Sequence, residues 1–191
     1  NGIYINLTNR CTNHCTFCIR NEGAGVYGSD SLWLDREPTA KEVLDDLGKY
    51  DFSKYNEVVF CGYGEPTIRI EELCEVARGI KAMCSLPIRI NTNGQGNLIH
   101  GRDITPMFEG IVDIVSISMN TADAESYAEV CKPAYGEAAY QAVLDFGLCA
   151  SKHVPEVIFS VVRTTIPDED IEKCRVLAEK YGGKLRVREL D

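Results

Sequence analysis

The sequence lacks any long apolar run, and none approaches the ~18 residues of a membrane span. A membrane-embedded chain is therefore not expected. Nor does it open on a charged segment leading into an apolar stretch, so no signal peptide is expected. Nothing at its end reads as a lipidation signal. Cations are scarce, with 20 Lys and Arg against 29 Asp and Glu, a net charge of −9. Phosphate backbones are gripped by Lys and Arg, so direct nucleic-acid binding is not expected. Phosphate-binding signatures are missing too. "GQG" at 94–96 lacks the third glycine of a dinucleotide fingerprint, and no G-x4-G-K-[ST] occurs. There are three histidines. His100 and His153 are isolated, and His14 directly adjoins Cys15, where neighbours rarely share one ion.

Cysteine, by contrast, is abundant. Nine in 191 residues is a high and odd count. A secreted disulfide scaffold is usually smaller and evenly paired. The expectation is a cytoplasmic protein with free thiols, some of them metal ligands. With 45% hydrophobic and 26% charged residues, the chain has the composition of one ordinary globular core. A single domain over 1–191 is expected.

Six β-branched, apolar runs fit strands: "IYINL" (3–7), "EVVFC" (57–61), "PIRIN" (87–91), "VDIVSIS" (112–118), "EVIFSVV" (156–162) and "KLRVREL" (184–190). Helical patterns lie between them. Thr39 offers an N-cap to the segment 40–50. Residues 71–84 place Leu73, Ala77, Ile80 and Cys84 on one stripe, and 136–152 carry Val143, Phe146 and Cys149 at helical spacing. Asp168, Glu169 and Asp170 open a last helix that "YGG" closes. Strand–helix alternation means parallel pairing with right-handed crossovers. At ~30 residues per unit, six units need roughly 180 residues, whereas an eight-unit barrel takes about 250. The fold class is therefore α/β, a partial (β/α)6 TIM-like barrel with parallel strands. A doubly wound open sheet is the structural alternative.

In such folds chemistry gathers at the C-terminal ends of the strands. Those ends carry "CTNHCTFC" (11–18), "GYGEP" (62–66), "NTNGQGN" (91–97), Ser118 with Asn120, and Arg163. The first has the spacing C-x3-C-x2-C. Structural zinc normally takes four protein ligands, and no second C-x2-C completes the set. Iron–sulfur clusters take cysteine thiolates. Three of them on a four-iron cluster leave one iron open to a substrate or cofactor. A three-thiol zinc site or unligated cysteines are the plainer readings. Cys74, Cys84, Cys149 and Cys174 read as small buried hydrophobes on helices. Cys61 stands at a strand end where it could line a pocket, and Cys131 is either reactive or packed. Arg186 and Arg188 share a face of the last strand and could take an anion or pair with carboxylates.

Read together, "YINLTNRCTNHCTFCIRN" (4–21), "VVFCGYGEPT" (58–67) and "RINTNGQGNLIHGRDI" (89–104) resemble the radical S-adenosylmethionine (SAM) enzymes, and among them the TatD-linked radical SAM proteins. The resemblance covers essentially the whole chain. It implies a [4Fe–4S] cluster held by Cys11, Cys15 and Cys18, with Phe17 as the aromatic residue before the last cysteine. It implies SAM on the open iron and its one-electron cleavage to a 5′-deoxyadenosyl radical that abstracts hydrogen from a substrate not identified by the motifs. Gly62, Tyr63, Gly64 and Glu65 match the family's Gly-Gly-Glu stretch, which binds the methionine amino group, with the first glycine missing. Asn91 or Asn93, Ser118 and Asn120 resemble the polar strand-end groups that contact SAM, and Val162 and Arg163 the position near adenine and carboxylate. An external one-electron reductant of the flavodoxin or ferredoxin type is implied, and a functional link to a TatD-type nuclease. The substrate is a small molecule or a protein, and the catalytic residue that meets it is not assigned. The long connection 19–37 is the expected cover over the cluster. A non-catalytic iron–sulfur carrier or a zinc-binding module is the alternative.

Overall fold

A computed structural model describes residues 1–22 and 31–189. Six strands, β1 (Gly2–Ile5), β2 (Glu57–Phe60), β3 (Ile88–Thr92), β4 (Ile114–Ser118), β5 (Glu156–Val162) and β6 (Lys184–Arg188), form one sheet in chain order. Every pairing is parallel. Among the described residues β1 and β6 pair with no further strand, so the barrel is partial and open, as the count of βα units predicts. The expected extension of the sixth strand to residue 190 reaches beyond β6 and partly lies outside the described residues.

Register sorts the side chains into two faces. Ile3, Val58 and Ile88 align in one row, and Ile5, Phe60, Ile90, Val115 and Val157 in the next. All of these lie in the buried core under the helices. Burying each such side chain is worth about 1.5–3 kcal/mol, and a slip by one residue would turn the whole set outward. The opposite, concave face carries Tyr4, Val59, Arg89, Ile114 and Glu156 in one row, then Asn91, Ser116, Ile158 and Lys184, then Ser118, Ser160 and Arg186. It is the polar face. Arg89 reaches Glu57 through two hydrogen bonds of 2.7 and 3.0 Å and Asn91 Oδ1 at 2.9 Å, which neutralises the floor.

The helices are α1 (Ala40–Leu47), α2 (Ile70–Met83), α3 (Gly96–His100), α4 (Ala124–Cys131), α5 (Ala138–Ala150) and α6 (Asp168–Lys180). Thr39 caps α1 in a reciprocal box with Glu42. Three acidic residues occupy the first turn of α6, and Gly182 at φ +80° follows its end. The sequence patterns did not announce two elements. The β3–β4 crossover holds only the five-residue α3 and a 3-10 turn (Thr105–Phe108), because glycines at 94, 96 and 101 leave no run long enough for a strong helical signal. α4 was not expected. Its signal is the Asp123 cap ahead of Ala124, Tyr127, Ala128 and Cys131, spaced to share one face.

Candidate functional site

Cys11, Cys15 and Cys18 lie on the loop that leaves β1 at the C-terminal rim of the sheet. An irregular loop needs its backbone polar groups satisfied by neighbours, and here α4 and the next segment supply them. His14 N–H donates to Cys131 O (3.0 Å), Thr16 N–H to Val130 O (2.9 Å) and Ala134 N–H to Thr12 O (2.8 Å). Cys18 N–H turns back to Cys15 O at 3.2 Å. From below, Asn13 N–H donates to Cys11 Sγ at 3.4 Å and Asn93 Nδ2 approaches the same sulfur at 3.9 Å.

The β2 rim packs against this loop. A Cβ on Gly64 would fall 2.1 Å from Thr8 O and 2.6 Å from Arg10 O, so only glycine admits that approach. The contact lets Glu65 N–H donate to Arg10 O at 2.8 Å. Glu65 itself is 2% exposed. Its Oε1 accepts from Thr67 N–H (3.0 Å), Thr67 Oγ1 (2.6 Å) and Thr92 Oγ1 (2.7 Å), and its Oε2 from Asn93 N–H (2.6 Å). Burial pushes this carboxyl up despite four bonds that favour the charged form. Gly62 holds φ +140°, open to glycine alone, and its missing Cβ leaves room for Asn6. Tyr63 lies buried against Trp33, with ring centroids 4.8 Å apart.

Two of the thiols are held toward the protonated form. Burial, aided by the Glu65 carboxylate, pushes Cys11 up to about 11. Cys15 is pushed far higher because its S–H donates to the Cys131 sulfur, and the same bond holds Cys131 below its ordinary value. Cys15 and Cys18 line a cleft of ≈ 410 Å³ with His14, Thr16, Arg20, Asn21, Trp33 and Lys132. Among the described residues that lining holds two cations and no carboxylate, which suits anionic thiolates and their metal. Among the described residues no group of three or more His, Cys, Asp or Glu is disposed to hold one metal ion. Three ligands on three separate irons do not need that convergence. The donor set therefore fits a cluster held by three cysteines and does not fit a closed zinc site.

The remaining expected residues spread round the same rim. Asn91 Oδ1 accepts from the Arg89 guanidinium, Asn93 is buried beside Cys11, Ser118 is half-buried at the end of β4, and Phe17 is half-buried in the turn before Cys18. Asn120 is buried at φ 64°, donates through Nδ2 to Cys131 Sγ at 3.2 Å, and is the one residue with a buried side-chain polar atom, Oδ1, that has no partner among the described residues. A buried acceptor left bare costs about 1–3 kcal/mol, and a ligand hydroxyl or ammonium would repay it. Val162 is buried at the end of β5. Arg163 points elsewhere, to Asp168 and Glu189 at 3.0 Å each, with 46% of its side chain exposed. Part of the expected cover, 23–30, lies outside the described residues. Its flank is tied to the loop before the cysteines, since Asn6 Nδ2 donates to Leu32 O and Asn9 Nδ2 to Leu34 O, both at 2.8 Å. Tyr127 enters the site without any motif to mark it; Gln95 lies within the 91–97 stretch and Cys131 stood out as a cysteine, but neither was expected to meet the cysteine loop.

Comparison with known proteins bears on the family and the fold. The family model described as "Radical SAM superfamily" matches residues 5–178. Relatives named GTP 3′,8-cyclase are among the matches. That of Lactiplantibacillus plantarum is 26% identical over 162 residues, covering 84% of this chain and 45% of its own length. That of Corynebacterium glutamicum is 29% identical over 194 residues, covering 97% and 48%. The chain thus spans a little under half the length of these relatives. Among solved structures, Streptococcus suis SuiB bound to S-adenosylmethionine superposes with a TM-score of 0.71 at 14% identity, covering 100% of this chain and 40% of SuiB.

Proposed function

The chain belongs to the radical SAM superfamily, whose cofactors are a [4Fe–4S] cluster and SAM, and from that premise we propose that Cys11, Cys15 and Cys18 hold the cluster and that the strand ends beside them hold SAM. When bound, the pair supplies one-electron cleavage of SAM to a 5′-deoxyadenosyl radical that abstracts hydrogen from a substrate. The observation that carries the reading is the three-thiol loop on the β1 rim, with Cys15 and Cys18 facing a cationic cleft.

The chain's own groups have distinct tasks in this reading. Three thiols release their protons as metal binds, and Arg20, which draws the Cys11 value down, stabilises the resulting charge. Oε2 of Glu65 keeps acceptor capacity beyond its bond to Asn93 and is the acceptor for the methionine ammonium, with the backbone of Gly62, Tyr63 and Gly64 beside it. Asn120 Oδ1 accepts from a SAM hydroxyl, and Asn93, Asn91, Ser118 and Val162 complete the rim. Arg163 takes part only by leaving its two carboxylate partners, which exposed ion pairs permit at little cost.

The substrate, a small molecule or a protein, binds across the concave face between β1 and β6. The GTP chemistry in the relatives' name stays with them, because this chain spans less than half of their length. An external reductant of the flavodoxin or ferredoxin type, a functional link to a TatD-type nuclease and a single core domain over 1–191 belong to the same proposal. So does a cytoplasmic location, supported by nine free cysteines. No helix among the described residues is long and apolar enough to cross a membrane.

One observation favours a second reading. Cys131 lies against Cys15, and a cluster saturated by four cysteines would be an electron carrier. Anaerobic reconstitution separates the two. The enzyme reading expects SAM to shift the EPR signal of the reduced cluster and 5′-deoxyadenosine to accumulate. An intact four-iron cluster that ignores SAM would overturn it.

A further inference from the structure

The spacer between the first two cysteines, Thr12-Asn13-His14, is gripped by side chains that the cofactor roles leave unused. Gln95 comes from the β3–α3 connection and Tyr127 from α4, 82 and 114 residues away from Asn13. Both are fully buried, and Asn13 is 3% exposed. Gln95 Nε2 donates to Asn13 Oδ1 (2.8 Å) and to the Tyr127 hydroxyl oxygen (3.1 Å), and Asn13 Nδ2 donates to the same oxygen (3.1 Å). Thr12 Oγ1 donates to Gln95 Oε1 at 2.7 Å and accepts from Asn93 Nδ2 at 2.8 Å. We infer that Gln95 and Tyr127 are positioning residues, a buried clamp that fixes the Thr12–Asn13 spacer and thereby the direction of the Cys11 and Cys15 thiols toward the cluster. The inference rests on the reading of these cysteines as cluster ligands.

The economy of the core supports a directional role. An apolar contact would seat this loop without desolvating three amide and hydroxyl groups. A polar network confers direction instead, and every side-chain amide group in the clamp has a partner. The direction matters at the sulfur. Asn13 N–H donates to Cys11 Sγ, and hydrogen bonds to ligating sulfur tune a cluster's potential. The same chain of bonds runs on through Asn93, whose N–H donates to Glu65 Oε2 at 2.6 Å. The proposed SAM acceptor and the cysteine spacer are thus parts of one hydrogen-bonded unit, so a shift at either end is felt at the other.

Two variants test the clamp, Gln95→Leu and the milder Tyr127→Phe, which removes one oxygen and keeps the ring. In cluster-free, reduced protein, N-ethylmaleimide labelling followed by mass spectrometry should show Cys11 and Cys15 reacting about tenfold faster in Gln95→Leu and a few-fold faster in Tyr127→Phe. Cys149 on α5 should keep its wild-type rate as the reference for an intact fold. In reconstituted protein of equal iron and sulfide content, the reduced cluster's EPR line shape should differ from wild type in both variants, a change that packing loss alone would not produce. Wild-type labelling rates together with a wild-type spectrum in Tyr127→Phe would overturn the clamp, even should Gln95→Leu not fold. Were wild-type protein to take up no four-iron cluster, the ligand reading would fall on that result, and the labelling rates alone would still decide whether the spacer is clamped.

Discussion

The two ends of the sheet's C-terminal rim are built in opposite ways. On the β1–β3 side, Asn13, Glu65, Asn93 and Gln95 are buried and bonded to one another. On the β5–β6 side, Arg163 meets Asp168 and Glu189 in exposed ion pairs, and β6 presents Lys184, Arg186 and Arg188 to solvent. Buried, mutually satisfied polar groups hold one geometry, because any other leaves them bare. Exposed ion pairs exchange with water at nearly no cost. The first end suits a cofactor that must be held in one pose, and the second a face that must open to a substrate or partner.

The sharpest break in that contrast comes from the cysteines. C11A, C15A and C18A should each reduce cluster iron to background after anaerobic reconstitution, whereas C131A should retain it, since its sulfur serves Asn120, Tyr127 and Cys15 as a hydrogen-bond acceptor. Loss of iron in C131A would identify a fourth ligand and move the protein toward the electron-carrier reading. Gly64→Ala should cost about 3 kcal/mol in urea denaturation, because backbone oxygens of Thr8 and Arg10 occupy the space of the new methyl.

Smaller effects test the floor and the open end. Arg89→Ala should cost about 2 kcal/mol at neutral pH by leaving a part-buried Glu57 without its partner. The two hydrogen bonds from Arg89 hold Glu57 below its ordinary 4.5. A depressed carboxylate stabilises the fold above its unfolded value and loses that contribution as pH falls through the folded one. The gap between wild type and Arg89→Ala should therefore narrow as pH drops below about 4.5, and a gap constant down to pH 3 would contradict the pairing. Arg163→Ala should change stability by no more than about 0.5 kcal/mol. A loss approaching that of Arg89→Ala would mean that the two ends are not so different.

How legible each part was follows from how local its signal is. Strand runs and the cap at Thr39 declare themselves within a few residues. The short α3 and the unexpected α4 did not, since one has five residues and the other eight, too few for periodicity to stand out. The cysteine spacing and "GYGEP" are contiguous motifs, and the structure puts both on one rim. Gln95 is a single polar residue in a turn, and Tyr127 a single aromatic on a short helix. Neither says in sequence that it will meet Asn13.

The order of residues alone determined the alternation of strands and helices, the parallel sheet, and a three-thiol loop that a zinc site would leave short of ligands. These are local matters of period, spacing and donor count. Only the tertiary structure decided that Glu65 is buried and bonded to Thr67, Thr92 and Asn93, that Arg163 faces away, that Asn120 keeps a bare carbonyl, and that Cys131 touches Cys15. Each of those depends on which distant groups reach one buried point, where every donor must find an acceptor and no water is there to stand in.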